Sequence, residues 1–243
     1  MNGVWDEGEP GVEGIKIELW LGSSKIEEKT TGSDGSYCFD ELNAETYTIV
    51  EVLPNSWMNT ASTSITVELK SGEISEGNNF GNVCLMPGYG GKTLGYWANA
   101  GNKLITSDDV NYLNDLNLYK PSGWTYPPFA TNNGLLTARS QIRNYLLSAN
   151  ARDMRWMLSA QLIATVLNVR HGYLSSSTIV YVGPSTYVPS GFITIEEIIN
   201  KANTALSNGY SRAEQEYWKN VLDWLNNNKL YFVCPEPCEP SYQ

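Results

Sequence analysis

The sequence predicts an α+β protein of two domains, an antiparallel β-sandwich followed by a mainly α-helical domain. Three observations predict it. From Gly14 to about Cys84 apolar residues recur with a period of two, the spacing of half-buried strands. Past Met86-Pro87-Gly88-Tyr89-Gly90-Gly91, a linker by composition, the apolar period becomes helical. Charge divides at the same place: residues 1–87 hold 15 Asp and Glu against 4 Lys and Arg, and residues 88–243 hold 11 against 12. The expected domains are therefore 1–86 and 87–243, the second ending in a Cys-Pro tail. A chain of 243 residues is long enough for two cores.

The front elements follow from alternation and turn chemistry. Ile15, Ile17 and Leu19 alternate with Lys16, Glu18 and Trp20. Tyr47, Ile49 and Glu51 share one face of a second run, and Ile65, Val67 and Leu69 one face of a third. Ser33-Asp34-Gly35-Ser36, Pro54-Asn55 and Lys70-Ser71-Gly72-Glu73 supply the turns between them. Short strands at this spacing suggest a small antiparallel sandwich.

The back elements follow from the longer period. Ser107 is placed to cap a helix carrying Val110, Leu113 and Leu116, and a second helix is expected over about Leu135–Leu147. In Arg152–Val169 apolar residues cover nearly every side, which belongs to a helix in the middle of a domain. Thr194-Ile195-Glu196-Glu197 and Ser211-Arg212-Ala213-Glu214 read as capping boxes. The second opens a helix with Tyr217, Trp218, Val221, Leu222 and Leu225 along one stripe. Residues 177–182 fit a short strand.

The opening residues carry the clearest chemistry. Asn2 to Glu13 read as the second half of an EF-hand type calcium loop, in which a Gly takes position six, a backbone carbonyl position seven and carboxylates positions nine and twelve. Gly3, Val4, Asp6 and Glu9 fall on those places, with Asn2 at position five. The predicted Ca²⁺ ligands are thus Asn2, the carbonyl of Val4, Asp6 and Glu9. The acidic front suits a divalent cation and disfavours nucleic acid, whose phosphates need Lys and Arg; a merely solvated acidic face accounts equally well for most of those carboxylates.

Four cysteines, Cys38, Cys84, Cys234 and Cys238, accompany one histidine, His171. No paired CxxC motif is present, so disulfides in an oxidising compartment are the expectation rather than structural zinc. Three complete pairings are possible, among them Cys84 with Cys234 or Cys238. No stretch approaches the ~20 apolar residues of a membrane span, and no signal peptide is visible at Met1.

Gly8-Glu9-Pro10-Gly11-Val12-Glu13-Gly14, Thr31-Gly32-Ser33-Asp34-Gly35-Ser36-Tyr37-Cys38-Phe39, Glu45-Thr46-Tyr47-Thr48-Ile49-Val50-Glu51 and Asn79-Phe80-Gly81-Asn82 come in that order. Together they resemble the landmarks of the B-like domains of serine–aspartate repeat surface proteins, relatives of the collagen-adhesin B domains. The resemblance covers about residues 1–84. It implies an extracellular, prealbumin-like sandwich that serves as a stalk or spacer, often rigidified by calcium on the loop carrying Asp6 and Glu9. Members of that family usually begin with a strand ahead of the metal loop, which this sequence lacks. An edge left unpaired invites a strand from another molecule, so polymerisation by strand donation is one expectation; a shortened chain is the other. Some relatives carry a Lys–Asn isopeptide bond beside a buried Glu, and the matching positions are Glu51 with Asn79 or Asn82. The usual reading of Glu51 is a solvated strand residue.

Thr93-Leu94-Gly95-Tyr96-Trp97-Ala98-Asn99, followed by Leu158-Ser159-Ala160-Gln161-Leu162-Ile163-Ala164-Thr165-Val166-Leu167-Asn168, resembles the helical "GYW" domains of secreted bacterial and archaeal surface proteins. Core anchoring by Tyr96 and Trp97, and caps or buried hydrogen bonds from Gln161 and Asn168, are the roles expected there.

No catalytic constellation stands out. His171 sits between Arg170 and Gly172, the composition of a helix C-terminus, and the pairs Asp108/Asp109 and Glu196/Glu197 sit where first helical turns favour acids. There is no GxSxG elbow, P-loop or dinucleotide fingerprint, and no enzyme activity is expected. Four aromatics in Tyr119-Lys120-Pro121-Ser122-Gly123-Trp124-Thr125-Tyr126-Pro127-Pro128-Phe129 could pin that loop to the core or offer a contact surface for glycan or protein. The expected function is structural: an extracellular, cell-surface protein that builds or extends an assembly, in its strongest form a calcium-stabilised filament of identical subunits. The alternative is a carbohydrate-binding or adhesive module using the aromatic loop.

Overall fold

The alternating residues of the front stretch build a four-stranded antiparallel sheet of order β2-β1-β3-β5: β1 Lys16–Leu21, β2 Ser24–Thr30, β3 Thr46–Val52 and β5 Ser64–Glu68. A second pair joins β4 Trp57–Asn59 to β6 Asn82–Pro87, with Trp57 opposite Cys84. These observations come from a computed structural model that describes residues 9–207, 210–235 and 238–242. Register in the main sheet sets Ile17 opposite Glu51 and Leu19 opposite Ile49. Ile15, Ile17, Leu19, Tyr47 and Ile49 form the core, with Tyr37, Phe39, Val67 and Phe80 packed on it. Burying such side chains contributes about 1.5–3 kcal/mol each.

β2 escaped sequence reading because Ser24-Lys25-Ile26-Glu27-Glu28-Lys29-Thr30 carries no apolar alternation. It is an outer strand of its sheet, and its charges are the pattern by which edge strands discourage further pairing.

The chain divides into two compact units, Met1–Met86 with Val233–Gln243, and Pro87–Phe232. The Cys-Pro tail, which chain order puts with the helices, groups with the first unit. Tyr242 Oη there accepts from the Lys16 amide at 2.8 Å and donates to the Gly14 carbonyl at 3.2 Å. The Asn55 amide donates to the Ser241 carbonyl at 2.9 Å.

The second unit contains α1 Leu94–Ala98, α2 Ser107–Asn114, α3 Leu135–Ser148, α4 Met154–Arg170, α5 Ile195–Ala205 and α6 Arg212–Asn226. Antiparallel pairs join β7 Ile179–Tyr181 to β8 Phe192–Thr194, and β7 to Tyr231 and Phe232 of β9 Tyr231–Val233. The α+β class holds: antiparallel sheets in front, helices behind. α4 is buried continuously from Leu158 to Asn168, as its all-round apolar surface predicts. α2 is capped by Thr106 rather than Ser107, through a full capping box with Asp109. Thr194 and Glu197 form the expected box on α5. At α6 Ser211 accepts from the Glu214 amide at 3.1 Å.

Candidate functional site

Of the predicted calcium ligands, Asn2, Val4 and Asp6 lie outside the described residues. Glu9 is described and exposed. The segment after it meets the turn that precedes Tyr37, backbone against backbone. A side chain at Gly11 would drive into the Asp34 carbonyl oxygen, and one at Gly35 would stand 2.6 Å from the Gly11 Cα. Gly35 also has φ +77, in the left-handed region that only glycine enters freely. Two motifs 24 positions apart in sequence (Gly11 and Gly35) thus need glycine for one shared contact. Asp34 and Glu9 both line one cleft of this unit. Asp34 Oδ1 accepts from the Ser36 hydroxyl at 2.7 Å and the Ser36 amide at 2.9 Å, and these bonds hold its carboxyl below the ordinary range.

A cleft of about 690 Å³ opens between the two sheets of this unit. Ile15, Ile17 and Glu51 line it from the four-stranded sheet, and Trp57, Asn82 and Val83 from the β4–β6 pair. Glu51 corrects the expectation of a solvated strand residue, since it is only 5 % exposed. It lies on the Tyr47 and Ile49 face of β3, so the strand period itself turns it inward. Asn82 Nδ2 donates to its Oε1 at 2.5 Å and Asn59 Nδ2 to its Oε2 at 2.8 Å. Burial pushes the Glu51 carboxyl up, against those two bonds. Burial and the Glu51 charge together push the Tyr37 phenol up to about 12. Asn82 Oδ1 and Trp57 Nε1 are buried without a hydrogen-bond partner. An isopeptide bond would need an amine here, and among the described residues no lysine lines the cleft. Ile17, not a lysine, faces Glu51 across the strands.

The cysteines resolve one of the open pairings. Cys84 is bonded to Cys238, while Cys38 is free and exposed and Cys234 is free and half-buried.

Residues 1–85 match the family model of the SdrD B-like domain. No curated protein and no solved structure matches the chain. The SdrD B-like match takes in the positions expected to hold calcium, the Gly11–Gly35 contact and Glu51. It stops short of Gly95-Tyr96-Trp97.

In the second unit Trp97 and the Gln161–Asn168 motif converge on buried hydrogen bonds, while the Tyr96 hydroxyl pairs with that of Tyr173 at 2.9 Å. Trp97 Nε1 donates to Asn168 Oδ1 at 2.9 Å, and Asn168 Nδ2 donates to Asn226 Oδ1 at 2.9 Å and to the Lys92 carbonyl at 3.0 Å. Asn226 Nδ2 in turn donates to Gln161 Oε1 at 2.9 Å. Asn226 is a member that sequence patterning missed: an Asn in the polar run Asn226-Asn227-Asn228 looks like a helix end.

His171 caps α4, and its Nε2 lies 3.0 Å from Asp109 Oδ2. A carboxylate only accepts, so this nitrogen carries the proton. Arg170 Nε donates to Asp109 Oδ1 at 2.5 Å and the Thr106 amide to Oδ2 at 2.8 Å. Burial works to raise the Asp109 carboxyl, and these donors outweigh it and hold the group low. With Trp97 packed 5.1 Å from the imidazole centre, the set reads as a clasp between α2 and α4.

Trp124 packs edge-on against Tyr126 and Trp156 at 4.8 and 5.0 Å, so the aromatic loop spends its rings on internal contacts. A smaller cleft of about 390 Å³ is lined by Tyr187, Tyr210 and Trp218 with Asn200, Lys201 and Glu214, and Trp218 Nε1 is buried without a partner. No helix among the described residues is long and apolar enough to cross a membrane.

Proposed function

We propose that this chain is a structural module of an extracellular, cell-surface assembly, its first unit acting as a prealbumin-like B-type spacer. The observation that carries this reading is the match of residues 1–85 to the SdrD B-like domain, together with the antiparallel sheets those residues form. The disulfide supports an oxidising compartment. Calcium belongs to the same proposal: Asn2, the Val4 carbonyl, Asp6 and Glu9 would hold it, an all-oxygen set of the kind hard cations take. Glu9 is exposed, and a bound ion would brace the loop against the Asp34 turn.

Self-assembly by strand donation is the strongest form of the reading. It draws on the cleft between the sheets, whose lining is mixed, Ile15, Ile17 and Phe80 beside Glu51, Asn79 and Asn82. Negative-stain microscopy and light scattering with calcium and with chelator test it. Ordered polymers that depend on calcium are expected, and monomers under both conditions would exclude self-assembly. A melting temperature unmoved by chelation would exclude the metal.

A binding reading has one observation in its favour, the cleft where Tyr187 and the exposed Tyr210 stand with Asn200, Lys201 and Glu214. Aromatic faces rimmed by amide, ammonium and carboxylate groups suit sugars. Glycan binding lost in Tyr210→Ala but kept in Trp124→Ala would support that cleft over the aromatic loop.

A further inference from the structure

Three of the four cysteines meet at one place in the first unit. Cys234 Sγ lies 3.4 Å from Cys84 Sγ and 3.2 Å from Cys238 Sγ, while Cys84 and Cys238 are bonded to each other. The backbone holds the geometry, with the Cys234 amide donating to the Cys84 carbonyl at 3.0 Å. Thiol–disulfide exchange needs a thiolate in line with the S–S bond; Cys234 Sγ, nearly equidistant from both sulfurs, stands side-on and must turn about its Cα–Cβ bond to attack.

We propose that Cys84, Cys234 and Cys238 form a thiol–disulfide exchange site that delivers a reactive thiol to Cys238 on the tail. Cys234 as thiolate attacks the Cys84 sulfur. The Cys84–Cys234 bond forms, the Cys84–Cys238 bond breaks, and Cys238 leaves as thiolate and takes up the proton Cys234 gave to solvent. No external oxidant or reductant enters, since the number of disulfides is unchanged. The direction of attack follows from burial. Cys84 is only 4 % exposed, and a thiolate released there would be desolvated, whereas Cys238 is half-exposed. The better-solvated thiolate is the better leaving group. Burial also pushes the Cys234 thiol up, so exchange accelerates with pH, about tenfold per unit while the thiol is mostly protonated.

The freed Cys238 does not drift away. Ser241 and Tyr242 tether the tail to Asn55, Lys16 and Gly14, so its sulfur is presented at a set place on the first unit. The ligand class is an external disulfide: Cys238 thiolate attacks one of its sulfurs, forming a mixed disulfide and expelling the other half as thiolate. That reaction would attach a second thiol-bearing molecule covalently. This inference is independent of the calcium and filament proposals.

The test uses the full chain purified without reductant, trapped with N-ethylmaleimide under native conditions and mapped by tandem mass spectrometry of the C-terminal tryptic peptide. Label is expected on Cys38 and, shared, on Cys234 and Cys238, with both Cys84–Cys238 and Cys84–Cys234 disulfides present. In Cys234→Ser the label is expected on Cys38 alone. In Cys238→Ser a Cys84–Cys234 disulfide is expected to form on air oxidation. Label confined to Cys38 and Cys234 in the native chain at both pH 7 and pH 9 would overturn the proposal. So would Cys238→Ser failing to form the alternative bond while retaining the native circular dichroism spectrum.

Discussion

Asn168 and Glu51 are both buried polar residues, and they face opposite demands. Asn168 has partners on both sides of its amide, so removing it leaves the Trp97 indole and the Lys92 carbonyl unsatisfied. Each buried orphan costs about 1–3 kcal/mol. Asn168→Ala should therefore lower the stability of the helical unit by about 2–4 kcal/mol, measured by denaturant unfolding. Glu51 is instead held above its ordinary value of 4.5 by burial. The folded protein binds that proton more tightly than the unfolded chain does. Its contribution is complete below the unfolded value and is lost as pH rises through the folded one. Glu51→Gln, which needs no proton, should thus gain on the native chain as pH increases from 4 to 8. A difference between the two that stays flat with pH would show that Glu51 ionises freely. The opposite shift holds at Asp109, where a clasp of donors favours the charged form.

Elements here are set by their ends and their contacts. Thr194 satisfies the first turn of α5 reciprocally with Glu197, and Thr194→Ala should cost about 1 kcal/mol. The turn at Asp34-Gly35 is held by a different device, a backbone approach that admits no side chain. Gly35→Ala would meet Gly11 and force an L-residue to positive φ. A loss of about 2 kcal/mol or more is expected, together with weaker calcium binding if the loop and turn form one site. Stability within 0.5 kcal/mol of the native chain, about the scatter of ordinary surface substitutions, would show that the two backbones can separate. β2 illustrates why some elements resist sequence reading: an outer strand with both faces wet needs no apolar alternation, only a partner such as β1.

At the scale of the whole molecule two cores predict two unfolding transitions. The Cys84–Cys238 bond has both ends in the first unit, although 154 positions separate them. Most of that loop is the second unit, which folds on its own core, so the constraint acts mainly on the tail and β6. Reduction should lower the transition of the first unit, by about 2–4 kcal/mol, and leave that of the helical unit nearly unchanged. Scanning calorimetry with and without reductant separates the outcomes, and equal loss in both transitions would contradict this division. Addition of calcium should move the same transition upward.

Periodicity by itself determined the class of each half, because strands and helices bury every second or every third-to-fourth residue whatever else surrounds them. It also determined the turns and the cap at Thr194, since these depend on neighbours within a few positions. Only the tertiary structure decided that Glu51 is buried against two asparagines, that Asn226 closes a hydrogen-bond network, and that the tail returns to the first unit. It alone brought three cysteines together. Those outcomes rest on contacts between residues tens to hundreds of positions apart, and local patterning carries no information about which distant side chain will arrive.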